Sequence, residues 1–235
     1  MVKEFKPSPD GLTTWEEYLA FTEDMEAVAA KYTKPIRIYC DVDGVVMPII
    51  KTREELDRLD GSNEITIYDT KRGYYTYYPD APPVMTGLFV YNKFVAEKLA
   101  EWSKRDDVDF VWLTAWKHNA PYAIDEALGI ESVGFLQWQV NGSDYYPHIG
   151  KGWSISEDQQ ISPSKFVWID DFANVSTYSG DDVPYFSRVK RNRETSEKSI
   201  VHEIDPSQYL SLTTKGSIGL TEEEINQVDI WLQAQ

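Results

Sequence analysis

The sequence predicts an α/β domain, a Rossmann-like parallel sheet with helices on both faces and a small β-hairpin flap. Three observations carry this expectation. The apolar runs "PIRIYCD", "VDFVWLT" and "KFVWIDD" are continuous instead of alternating, which marks strands covered on both faces. Helical patterns lie between them, as the crossovers of parallel strands require. Each run also ends in polar residues, at the edge where open sheets of this class bind ligands. At 235 residues, 42% of them hydrophobic and 14% aromatic, the chain can bury one sizeable core, so 1–235 reads as a single domain.

Taken in order, residues 1–34 read as an N-terminal helical extension. "TTWEEYLAFTEDMEAVAAKY" sets Trp15, Leu19, Met25 and Val28 near helical spacing, with Thr13 or Thr14 as cap. Pro35 suits the start of the first strand. Residues 51–85 read as a hairpin flap insert, because "EITIYDTKRGYYTYYP" puts β-branched and aromatic residues on both sides of a turn at Gly73. "LFVYNKFVAEKLAEWSKR" follows as an amphipathic helix, and "VDFVWLT" as a strand. "NAPYAIDEALGI" is a helix ending near Gly129, and "SVGFLQW" a strand. A polar, Gly-rich loop spans Asn141 to Pro163 before the strand "KFVWIDD". "DDVPYFSRVKRNRETSEKS" reads as a loop, "IVHEID" as the last strand and "TEEEINQVDIWLQ" as a closing helix capped by Thr221.

A formal net charge of -16 disfavours long nucleic acids and anionic membrane surfaces, while leaving room for a small phosphorylated ligand in a local positive pocket. The single cysteine, Cys40, sits in a strand pattern and reads as a small buried hydrophobe. "MVKEFKPSPDGL" has no apolar targeting core and no segment approaches a membrane span, so a cytoplasmic location is expected. His118, His148 and His202 lack the mutual spacing of a metal site.

Chemistry concentrates at the strand ends: Asp41 and Asp43 after the first, Thr114 after the second, Asp170 and Asp171 after the third. In a parallel sheet these ends share one edge. A carboxylate is a weak nucleophile and a phosphate ester is already an anion, so the two repel unless a divalent cation sits between them. Mg2+ suits that role, since it takes oxygen ligands and keeps several waters. A second acid two residues on can give a proton to the leaving oxygen and later take one from water. A hydroxyl from a neighbouring strand and a lysine can hold the phosphoryl group.

The "DVDGV" of Asp41–Val45, the strand ending in Thr114, a following lysine and the "IDD" of Ile169–Asp171 resemble the four ordered motifs of the haloacid dehalogenase (HAD) superfamily. The D-x-D form is that of its phosphatase branch. "VWLTAW", "FVWIDD" and the C-terminal "IDPSQYLSLTTKGSIGLTEEEINQVDIWL" look similar to small HAD-like hydrolases of actinobacteria and their phages. The resemblance implies Mg2+-dependent hydrolysis of a phosphomonoester through an aspartyl-phosphate. Asp41 would be nucleophile and Asp43 general acid and base. Asp41, the backbone carbonyl of Asp43 and Asp170 would hold Mg2+, with Asp171 a ligand through water or an orienting group.

Thr114, with backbone N–H groups around Val42, Gly44 and Ala115, would bind the phosphoryl group. Lys151 is the expected lysine. Lys165 opens its strand, roughly 16 Å from the carboxyl edge at about 3.3 Å per residue, and Lys117 is the lesser rival. Two other functions remain open from the sequence: a HAD-like protein that binds metal or a phospho-ligand without turnover, and a nucleotide-directed phosphatase whose flap aromatics stack on a base.

Overall fold

Ile36–Cys40 (β1) is buried at every position, and the rest of the molecule is arranged around it. The computed structural model describes residues 25–49, 65–70, 87–116, 120–136, 147–171, 173, 189–191, 198–200 and 204–235. Five strands form one parallel sheet in the order β5-β4-β1-β6-β9, comprising Val108–Trp112 (β4), Ser132–Phe135 (β5), Lys165–Asp170 (β6) and Tyr209–Thr213 (β9) besides β1. Cys40 stands in register with Trp112 on one side and Ile169 on the other. The chain runs outward from β1 through β4 to β5, then returns to β6 on the far side of β1 and continues to β9. The direction of winding therefore reverses at the β1–β6 pair, where sheets of this kind open a crevice at their carboxyl ends. The fold is an α/β Rossmann-like one.

Helices cover both faces, and β1 divides its side chains between them. Ile36, Ile38 and Cys40 join the larger core with Lys93–Ser103 (α2) and Glu222–Gln233 (α5), through Val95, Leu99 and Trp102 on the first and Ile225, Val228 and Leu232 on the second. Tyr39 joins a smaller core on the other face, with Val28 of Met25–Ala29 (α1) and Ile155 of Pro147–Ile161 (α4). Thr221 caps α5 in a reciprocal capping box with Glu224, as its sequence predicts. Gly129, at φ 70°, ends the short helix Asp125–Leu128 (α3), which continues a π-helical turn over Ala120–Ile124.

Several sequence expectations need correction. "GLFVYN" is not the head of a helix but a strand, Gly87–Asn92 (β3), paired antiparallel with Ile65–Thr70 (β2). The β-rich insert thus closes beyond residue 85. Asn92 ends that strand and caps α2, its side-chain oxygen accepting from the N–H groups of Phe94 and Val95. The loop expected from Asn141 to Pro163 contains the fifteen-residue helix α4. The last strand of the sheet is β9, "YLSLT", not "IVHEID"; Lys198–Ile200 (β8) instead forms a small antiparallel pair with Val189–Arg191 (β7). The "YYTYYP" of the flap, Gly73, and the helix expected around Trp15 and Leu19 lie outside the described residues.

Beneath α4 lies a buried ionic network on the side of β1 away from the larger core. The guanidinium of Arg37 donates to Asp158 at 2.9 Å and to Ser162, and stacks on the ring of Tyr32 at 3.7 Å. Tyr39 and Tyr32 hydroxyls also donate to Asp158. One charge pair in a dry interior needs such additional hydrogen bonds to be tolerated.

Candidate active site

Asp41 follows β1 directly, and its backbone N–H donates to the Ile169 carbonyl of β6 at 3.0 Å. Leu113 of the segment after β4 donates to the Cys40 carbonyl at 2.9 Å. Three parallel strand ends are thereby laced together, and their polar residues meet. One carboxylate oxygen each from Asp41, Asp170 and Asp171 lies within 4.8 Å of the others. The Lys151 ammonium reaches into this group from α4, at 2.5 Å from Asp41 Oδ2 and 2.8 Å from Asp170 Oδ2. Asp41, Thr114, Lys151 and Asp170 are all buried.

Of the sequence-predicted residues, Asp41, Lys151, Asp170 and Asp171 come together in this cluster. Asp43 lies within electrostatic reach of Asp41 and Lys151, and Thr114 is joined to Asp43 through Trp116. Lys151 sits on a helix, not in the loop expected for it. Lys165 begins β6 in register with Ile36, at the opposite end from Asp170. Lys117 lies outside the described residues, as do His118 and His202. Two backbone groups expected to bind phosphate are otherwise engaged: the Val42 N–H donates to Asp41 Oδ1 at 2.7 Å and the Gly44 N–H to the Met47 carbonyl at 2.8 Å. Ala115, next to Thr114, is exposed.

The loop after β1 is tight for a visible reason. Gly44 adopts φ 75°, and a Cβ there would stand 2.8 Å from Asp171 Cγ. Only glycine permits both that backbone and that approach. The C-terminal segment closes over the same loop. Thr214 Oγ1 donates to the Gly44 carbonyl at 2.6 Å, its N–H to the Asp170 carbonyl at 3.1 Å, and Leu220 N–H to the Val45 carbonyl at 3.0 Å.

The charges are unevenly balanced. Burial would lower the Lys151 ammonium, but Asp41 and Asp170 outweigh it and hold the lysine protonated, well above its ordinary range. Burial, then the nearby Asp41, pushes Asp43 up to about 6, a rise moderated by a hydrogen bond from Trp116 and by Lys151. Burial, then Asp170 and Asp41, pushes Asp171 up to about 7. Burial, then Asp41 and Asp170, also raises the Cys40 thiol, so it stays protonated and inert.

The donor set fits a hard divalent cation: three clustered carboxylates, two of them buried, each with an oxygen within 4.8 Å of the others. Sequence reasoning missed Trp116, whose indole N–H donates to Asp43 Oδ2 at 2.9 Å, and Thr214 with Gly216, which lie against Gly44 and Asp171. The Trp of "VWLTAW", two residues beyond Thr114, was the available signal for the first. Nothing local marked the second, because it depends on β9 being in the sheet.

Among the described residues no helix is long and apolar enough to cross a membrane. No protein-family model matches the sequence, and comparisons with curated proteins and with solved structures return no match. The α/β Rossmann-like architecture and its acidic, lysine-bridged cluster are what the chain itself provides.

Proposed function

We propose that the chain is a HAD-type phosphatase that hydrolyses a phosphomonoester through an aspartyl-phosphate on Asp41, with Mg2+ as cofactor. The observation that supports this reading most is the Lys151 ammonium set between Asp41 and Asp170, with Asp171 completing the carboxylate cluster at the strand ends. A structural ion pair needs one carboxylate for one lysine. A surplus of buried acids around one cation suits a site built to receive another positive charge.

In this reading Asp41 Oδ attacks phosphorus and the P–O ester bond breaks. Asp43 gives its proton to the departing oxygen. Water then attacks the aspartyl-phosphate while Asp43 takes its proton, releasing inorganic phosphate and restoring Asp41. Lys151 fixes the orientation of Asp41 and offsets charge on the phosphoryl group. Thr114 supplies a hydroxyl for that group. Mg2+, held by Asp41, the Asp43 carbonyl and Asp170, with Asp171 direct or through water, would supply the counter-charge that lets two anions meet.

The decisive experiment is turnover of p-nitrophenyl phosphate with Mg2+ by the wild type and by Asp41→Asn. Wild-type turnover lost in the variant is the expected result. Full activity in Asp41→Asn would remove the mechanism. Metal binding without hydrolysis of any compound in a phosphomonoester panel would instead mark a binding protein.

A further inference from the structure

We infer that Trp116 is a positioning residue that fixes Asp43 for proton transfer to the leaving group, an inference that rests on the phosphatase reading above. Its indole N–H donates to Asp43 Oδ2 at 2.9 Å, across 73 residues of sequence. Indole nitrogen donates and cannot accept. The carbonyl oxygen of a carboxylic acid is its better acceptor, so the indole favours Oδ2 as that oxygen and Oδ1 as the one that carries the exchangeable proton. A free carboxyl group can place its proton on either oxygen and rotate about its last torsion; here one of those choices is disfavoured.

Trp116 is itself held in place. Its backbone N–H donates to Thr114 Oγ1 at 3.3 Å, and its ring packs against the larger core. One residue thus ties the hydroxyl proposed to hold the phosphoryl group to the carboxyl proposed to protonate the leaving oxygen. A proton donor is useful only when aligned with the atom that receives it.

The role makes a particular demand on substrates. Proton donation matters for an alkyl phosphate, whose alkoxide leaves poorly, and hardly at all for 2,4-dinitrophenyl phosphate, whose phenoxide leaves unaided. The test compares kcat/KM for these two compounds in wild type, Trp116→Phe, Asp43→Asn and the double variant. For Trp116→Phe the expected loss is about tenfold or more on the alkyl phosphate and less than about threefold on the activated ester.

In the Asp43→Asn background, Trp116→Phe should cost less than about twofold further on the alkyl phosphate, because its partner is already gone. The ratio of the two kcat/KM values is independent of how much of a preparation is folded, so partial misfolding leaves the comparison intact. Equal losses on both substrates, or fully additive losses in the double variant, overturn the inference while the phosphatase reading stands. A wild type that hydrolyses neither compound removes that reading and this inference with it.

Discussion

At the scale of single residues, Gly44 has the least freedom to change. Its φ of 75° and the 2.8 Å that would separate a new Cβ from Asp171 impose two penalties on any side chain. Gly44→Ala is expected to lose about 1–3 kcal/mol of stability, measured by urea unfolding, and, on the proposed metal-dependent reading, to weaken Mg2+ binding as Asp171 is displaced. An unchanged unfolding midpoint would mean the loop relaxes freely. The "DVDG" pattern was legible in the sequence because a turn glycine beside acids has a local cause. Trp116 and Thr214 were not, because their significance lies in partners 73 and 170 positions away.

At the scale of elements, α4 shows why a helix can escape notice. Its buried face carries Lys151, Ser154, Ile155 and Asp158, so the spacing is helical but the residues are mostly polar. Hydrophobic periodicity cannot report such a face, and Gly150 and Gly152 lower propensity further. The face is polar because it grips β1 and its neighbour at both ends of their strands, Lys151 on Asp41 and Asp170, Asp158 on Arg37. Asp158→Ala would leave the Arg37 guanidinium buried and uncompensated. About 3–5 kcal/mol of destabilisation is expected, read from urea unfolding, together with a fall in the proposed phosphatase turnover as α4 loosens. A loss below about 1 kcal/mol would show that the tyrosines and Ser162 suffice without the carboxylate. By contrast the strands β1, β4 and β6 were legible outright, since their apolar runs are unbroken.

At the scale of the whole molecule, the acidic cluster contributes to how stability depends on pH. Burial first, then neighbouring carboxylates, puts Asp43 at about 6 and Asp171 at about 7, above the ordinary carboxylate value of about 3.9. Between those limits the folded chain holds protons more tightly than the unfolded one, so this contribution is complete below about pH 4 and is lost as pH rises through about 7. Without divalent metal, Asp171→Asn should therefore melt higher than wild type at pH 7.5, and the difference should vanish near pH 4. A difference of constant size across that range would count against charge crowding at this position. On the proposal that the cluster holds Mg2+, saturating Mg2+ should reverse the order at pH 7.5: at about a hundred times its dissociation constant the wild type would gain about 2.7 kcal/mol, and the variant less. Differential scanning calorimetry reads both effects. The parallel sheet was foreseeable from sequence. The outermost strand on the β6 side, β9, was not, because "YLSLT" is only half covered and offers no continuous apolar run.

That outermost strand has a consequence for how the protein comes into being. Every motif residue from Asp41 to Asp171 leaves the ribosome before Tyr209, yet Thr214 and Leu220 are what fasten the loop around Gly44 and Val45. A nascent chain halted at residue 205 would carry all the proposed chemistry with its key loop unfastened. Synthesis must run past Leu220 before that loop can be fastened.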